Sequence, residues 1–185
     1  MKEFTGERSI VIKAPIGAVY EYVSDFPHHV EWNYQLVKLA KLTDGKVVVG
    51  SRFRANEKAA RSQPWFIRLL WPLLSILFGS TGYTEAEITT LEPDKRVAWK
   101  AAAPLKNGNY MAKAEWELRL EPKGDSTQVT QGFQYHFFGK MSEGMDVVKA
   151  ARDTGDEVST NLAILKGMLE RQASFADAPN RTVLA

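Results

Sequence analysis

Polar and apolar residues alternate with a period of two from Tyr110 to Leu120. Tyr110, Ala112, Ala114, Trp116, Leu118 and Leu120 fall on one side, and Met111, Lys113, Glu115, Glu117 and Arg119 on the other. This is the pattern of a strand with one buried and one wet face. The same alternation groups Val129, Gln131, Phe133, Tyr135 and Phe137, then Val97, Trp99 and Ala101, and earlier Val49, Ser51 and Phe53. Turn signals bound these runs. Asp44-Gly45 separates Gln35–Leu42 from Val47–Arg54, Glu92-Pro93-Asp94 separates Tyr83–Leu91 from Arg96–Ala102, and Asn107-Gly108 precedes Tyr110–Leu120. Glu121–Asp125 leads into a last strand at Thr127–Phe138. With the β-branched opening at Ser9–Lys13, seven strands are predicted, most joined by short turns, as an antiparallel meander. Helical spacing occurs twice. Pro15 suits a first helical turn, and Ile16, Val19, Tyr20 and Val23 follow it on one face. From Thr154 to about Phe175, Val158, Leu162, Leu165, Met168 and Leu169 form the apolar stripe of a long helix.

Several short motifs sit on these elements in a definite order. They are the I-x-A-P pattern at Ile12–Pro15, Val19, Asp25 and the turn ending Glu31-Trp32-Asn33. Val49-Gly50-Ser51-Arg52-Phe53, the corner Glu92-Pro93-x-x-Arg96-Val97-Ala98-Trp99, and Leu162-x-x-Leu165-Lys166 running to Glu170 follow. Together they resemble the START-like, Bet v 1-type (SRPBCC) superfamily, and in particular its polyketide cyclase/dehydratase and lipid-transport branch. The resemblance covers roughly Phe4 to Glu170. It implies an α+β helix-grip fold, in which a curved seven-stranded antiparallel sheet wraps around a long C-terminal helix. Two short helices would follow the first strand, and a cavity would lie between sheet and helix. One domain over residues 1–175 is expected, with an insertion at about 57–82 and a flexible tail over 176–185.

Composition narrows the function classes. A chain of 185 residues with 44% hydrophobic residues is long enough for one sizeable core. Its 24 basic and 22 acidic residues nearly cancel, so no global field favours nucleic acid. The absence of cysteine excludes disulfides, thiol nucleophiles and Cys-ligated metals. The opening MKEFTGERS has no apolar h-region, so a cytoplasmic protein is expected.

The insertion departs from the family pattern. Trp65–Phe78 reads WFIRLLWPLLSILF, with eleven of fourteen residues apolar. As a helix it would span roughly 21 Å, short of the roughly 30 Å hydrocarbon core. Arg68 and Pro72 inside it argue further against a membrane span. Three readings stay open: a lid closing the cavity with Trp65, Phe66 and Trp71, a homodimer contact, or a peripheral membrane contact. Arg52, Arg54, Lys58, Arg61 and Arg68, set against Glu57, suit the last of these.

The inner faces supply the candidate ligand site. Phe53, Trp99, Tyr110, Trp116, Gln131, Phe133 and Tyr135 from the strands, with Leu162 and Leu165 from the final helix, would wall the cavity. Ser51, Tyr110, Gln131 and Tyr135 would be its polar groups. Trp65, Phe66 and Trp71 would form its gate. The expected partner is an apolar small molecule, carried or sensed. The alternative is a cyclase or dehydratase that folds and converts its substrate in the same cavity, with Tyr110 and Tyr135, and also Tyr83, as the available proton donors. A phenol near pKa 10 is a poor base at neutral pH. No G-x-S-x-G, Walker loop or dinucleotide fingerprint occurs, and no cofactor is expected. The cluster Asp25-x-x-His28-His29-x-Glu31 is read as a structural turn rather than a metal site, and His136 is placed on the wet face. No buried acid–base pair is expected.

Overall fold

The computed structural model describes residues 1–58, 79–139 and 142–176. Its seven strands are β1 (Lys2–Ile12), β2 (Leu36–Lys41), β3 (Arg52–Glu57), β4 (Thr84–Glu92), β5 (Arg96–Pro104), β6 (Tyr110–Lys123) and β7 (Ser126–Phe137). They form one antiparallel sheet in the order β1-β7-β6-β5-β4-β3-β2. Sequential hairpins build six of the strands into a meander, and β1 closes onto the last of them. Register shifts in β2, β4 and β5 add local bends of the kind that curve a sheet. Helices α1 (Ile16–Ser24) and α2 (His29–Trp32) follow β1, joined by a 3-10 turn at Phe26–His28. The long helix α3 (Val147–Ala176) lies in the grip of the sheet.

The core follows from the alternation. Ile12, Phe53, Ile88, Val97, Leu118 and Val129 from the sheet meet Val158, Leu162 and Leu165 from α3, all buried. Helix α3 is pinned to β1 at polar points too. Lys166 Nζ donates to the Val11 carbonyl at 2.6 Å, and the Lys13 amide donates to Glu170 Oε1 at 2.8 Å. Gly6 has a specific reason to be glycine: a Cβ there would stand 2.6 Å from Cζ of the buried Phe133 ring. The outer face of the sheet is laced with charge. Arg119 meets Glu7 at 2.5 Å and also Glu117, which takes Arg96 at 3.2 Å, while Lys100 and Glu87 pair at 3.1 Å. Such exposed pairs add little stability, about 0–1 kcal/mol each.

Two predicted elements differ from the structure. The run from Val47 is not a strand until Arg52. Val48 and Val49 are exposed, and Ser51 closes a turn, its Oγ accepting the Val48 amide at 2.9 Å. Gly50 sits in the left-handed region at φ 86° and bends the chain there. The first strand, in turn, begins at Lys2 rather than Ser9, because its N-terminal half pairs residue by residue with Gly132–Phe137 of β7.

Candidate functional site

Between the inner face of the sheet and α3 lies a cavity of about 760 Å³. Its apolar wall is built by the two-residue period of neighbouring strands. Phe4 of β1, Trp99 of β5, Trp116 of β6, and Tyr135 and Phe137 of β7 all turn inward on it. These rings pack on one another. Phe4 stacks on Tyr135 and on Phe137 with centroids 5.2 and 5.9 Å apart, and Trp99 lies parallel to Trp116 at 6.1 Å. Phe26, from the turn after α1, and His29, the first residue of α2, complete that side. His29 is 1% exposed, ringed by Phe26, Trp32 and Trp99, and its Nε2–H donates to the Val23 carbonyl at 2.9 Å. Burial lowers its pKa from 6.5 to about 4, against the opposing pull of that carbonyl, so His29 is neutral at pH 7.

The cavity also has a polar side. Glu57 closes β3, on the inward parity of Phe53 and Ala55, and lines the space. Glu57 is exposed, yet desolvation by the protein packed around it raises its pKa above the usual carboxylate range, opposed by a hydrogen bond from Thr84. Glu157, one position before Val158 on α3, lines the same cavity, and its Oε2 accepts from Gln35 Nε2 at 2.8 Å. Asn161, one turn further, accepts the Tyr34 amide on Oδ1 at 3.2 Å. Gln131 of β7 is 2% exposed, and its Oε1 has no hydrogen-bond partner among the described residues. Burial pushes the Tyr135 phenol upward, and the nearby Glu57 and Glu157 charges push it further. Tyr135 is thus a fixed donor and not a base. Among the described residues no group of three or more His, Cys, Asp or Glu is placed to hold a metal. No helix among them is long and apolar enough to cross a membrane.

The sequence model of the polyketide cyclase / dehydrase and lipid transport family matches residues 3–170. The chain belongs to that family. Among curated proteins none matches it significantly. Solved structures share its fold at low identity. The ZhuI aromatase/cyclase from Streptomyces sp. R1128 aligns with a TM-score of 0.67 and 14% identity, over 95% of this chain and 99% of its own. Protein TTHA0849 from Thermus thermophilus gives 0.62 and 15%, over 93% and 99%. Ara h 8.0201 gives 0.60 and 10%, over 91% and 98%. The START-like, Bet v 1-type fold implied by the Ile12–Asn33 opening is therefore the fold of this family member.

The structure places the residues read from the sequence as follows. Trp99, Trp116, Gln131 and Tyr135 line the cavity of this polyketide cyclase/dehydrase family chain, as does Tyr83 near the rim. Phe53, Phe133, Leu162 and Leu165 are buried core and do not border the void. Ser51 is spent on its own turn. Tyr110 is a correction. A register shift between Ala103 and Pro104 sets it opposite Pro104, 38% exposed and beneath Lys113 Nζ, while Met111 lines the cavity instead. Trp65, Phe66 and Trp71, and the whole Trp65–Phe78 run, lie outside the described residues. The Asp25–Glu31 cluster is a surface knot in which His28 meets Glu31 at 2.6 Å and Asp25 at 3.5 Å, while His29 turns inward. His136 meets Glu3 at 3.3 Å on the outer face. Sequence reading missed Glu57 and Glu157 as lining residues of the cavity. The signal was present: Glu57 continues the inward parity of Ser51, Phe53 and Ala55, and Thr154, Glu157 and Asn161 follow helical spacing beside the apolar stripe.

Proposed function

We propose that this protein binds a hydrophobic small molecule, of the lipid, quinone or polyketide-like kind, in the cavity between sheet and α3, as a carrier or sensor. The observation that carries this reading is the cavity itself: about 760 Å³ walled by Phe4, Trp99, Trp116 and Phe137. A space of that size lies within the range of small-molecule sites, which are mostly apolar with a few placed polar groups. The test is native mass spectrometry of protein purified from its own host, followed by organic extraction. A stoichiometric apolar molecule supports the reading. A clean apo mass, with no uptake of added apolar molecules, overturns it.

A second reading is a cyclase or dehydratase working in the same space, and one observation favours it. Glu57 is a carboxyl group held toward its protonated form beside Tyr135, which is the state a general acid needs. ZhuI, similar in fold, is an aromatase/cyclase. Conversion of the extracted molecule on incubation, lost in Glu57→Gln, would assign the cavity to this second reading.

A further inference from the structure

The cavity exists because the inward side chains of two central strands shrink along their length. On β5 the inward positions run Trp99, Ala101, Ala103, and on β6 they run Trp116, Ala114, Ala112. The register sets these changes side by side: Trp99 lies opposite Trp116, Ala101 opposite Ala114, and Ala103 opposite Ala112. Ala86 of β4 extends the first alanine row as the partner of Ala101. The open space therefore begins where tryptophan gives way to alanine, and the two parallel indoles form a step at that edge. On the β7 side the rows end on Tyr135 and Phe137, whose rings stack with planes 17° apart. Across the cavity, α3 faces this floor with Thr154, Val158 and Asn161.

Resting on the cavity-binding reading above, we propose that these alanine rows are the specificity-determining floor of the site, and that they select a broad, flat body of fused rings over a single extended acyl chain. Adjacent strands lie about 4.8 Å apart, and same-face neighbours on one strand about 6.7 Å apart, so the alanine floor is broad in both directions. Its side chains are of equal and minimal height, which leaves it low and even. An extended chain crossing it covers one stripe and leaves the rest without partner atoms, forfeiting the dispersion that a filled space gains. A fused-ring plate touches the methyl groups of both rows at once. Its edge also meets Tyr135 and Phe137, and aromatic rings gain from offset or edge-on contact with one another. A side chain longer than alanine at Ala101 or Ala114, in the middle of the floor, would rise into the space that the plate takes.

Two alcohols of equal carbon number, 2-anthracenylmethanol and 1-pentadecanol, test this. Energy transfer from tryptophan to anthracene reports binding of the first, and its displacement reports the second. The ring alcohol should bind about tenfold or more tighter. The chain is the more hydrophobic of the two, so a preference for the ring reflects shape. Ala101→Leu and Ala114→Leu should each weaken the ring alcohol about tenfold or more and the chain alcohol by less. Their melting temperatures should stand at or above the parent's, because the added methylenes enter open space instead of a filled core. Ala101→Val and Ala114→Val, which add less bulk, give the same readout where a leucine variant does not fold. Equal or tighter binding of the chain overturns the proposal and leaves the cavity reading intact. Ring binding that survives every substitution in folded proteins overturns it as well. Leucine and valine variants that all melt far below the parent would mean that the floor is already packed, which also overturns it. Failure of both alcohols to bind the parent removes the cavity reading, and this one with it.

Discussion

His29 shows what a single buried side chain commits the protein to. Its imidazole stays neutral down to about pH 4 in the fold but titrates near 6.5 when unfolded. Below pH 6.5 the unfolded chain therefore takes up a proton that the folded chain refuses. The contribution is complete above that pH and is lost as pH falls from 6.5 to about 4; it amounts to about 3 kcal/mol. Urea unfolding followed by tryptophan fluorescence at pH 7.5, 5.5 and 4.5 should show this loss, and His29→Gln should flatten it. Glu31 and Glu170 are held below the ordinary carboxylate range by His28 and Lys166, and both survive in the variant, so the difference between the two proteins isolates His29. A parent curve as flat as the variant's would refute the assignment. None of this was legible in the sequence. The pair His28-His29 looks symmetric there, and only the fold sends one ring to solvent and the other between Phe26 and Trp99.

At the scale of elements the sequence was legible wherever both faces of a strand had a distinct environment. β6 is the clearest case, with Glu117 and Arg119 in the outer charge lattice, Glu115 exposed on the same face, and Ala114, Leu118 and Leu120 buried. Legibility failed where an inner face borders a void. There a polar residue such as Glu57 keeps the inward parity, yet reads as the end of the strand. It failed too at Val47–Val49, where β-branched residues mark strand propensity but the Gly50 turn decides the backbone. The start of α3 illustrates the opposite case, in which local chemistry decides. Asp146 accepts the amides of Val148 and Lys149 on Oδ1, both at 3.0 Å, and its own carbonyl takes the Ala150 amide at 2.9 Å. Asp146→Ala should cost about 1 kcal/mol and Asp146→Asn much less, because the asparagine oxygen still caps. Chemical denaturation measures both, and equal losses would mean that the negative charge matters more than the cap.

For the molecule as a whole, the aromatic wall is the part on which occupancy depends. Trp116 touches Trp99, Phe133 and Tyr135 and borders the cavity, so it joins the core to the empty space. Trp116→Ala should enlarge the cavity and lower stability by about 3–5 kcal/mol, the usual range for a large aromatic truncation. It should also weaken retention of any co-purified molecule, measured by the occupied fraction in native mass spectra. Unchanged occupancy in a folded variant would remove Trp116 from the ligand wall.

The closure of β1 onto β7 has a consequence for how the chain is made. Lys2 pairs with Phe137 and Ile12 with Thr127, so the first strand to leave the ribosome waits for the last. At about 5–20 residues per second, synthesis leaves β1 without its partner for several seconds or more. The sheet from β2 to β6 can zip hairpin by hairpin in that time, since its contacts are local in sequence. The inward side of β1 and the rings of β7 then meet in one late, non-local step, which α3 completes by packing across β1. The cavity comes into being only at that step, so the protein has no pocket to fill until the chain has been made through α3.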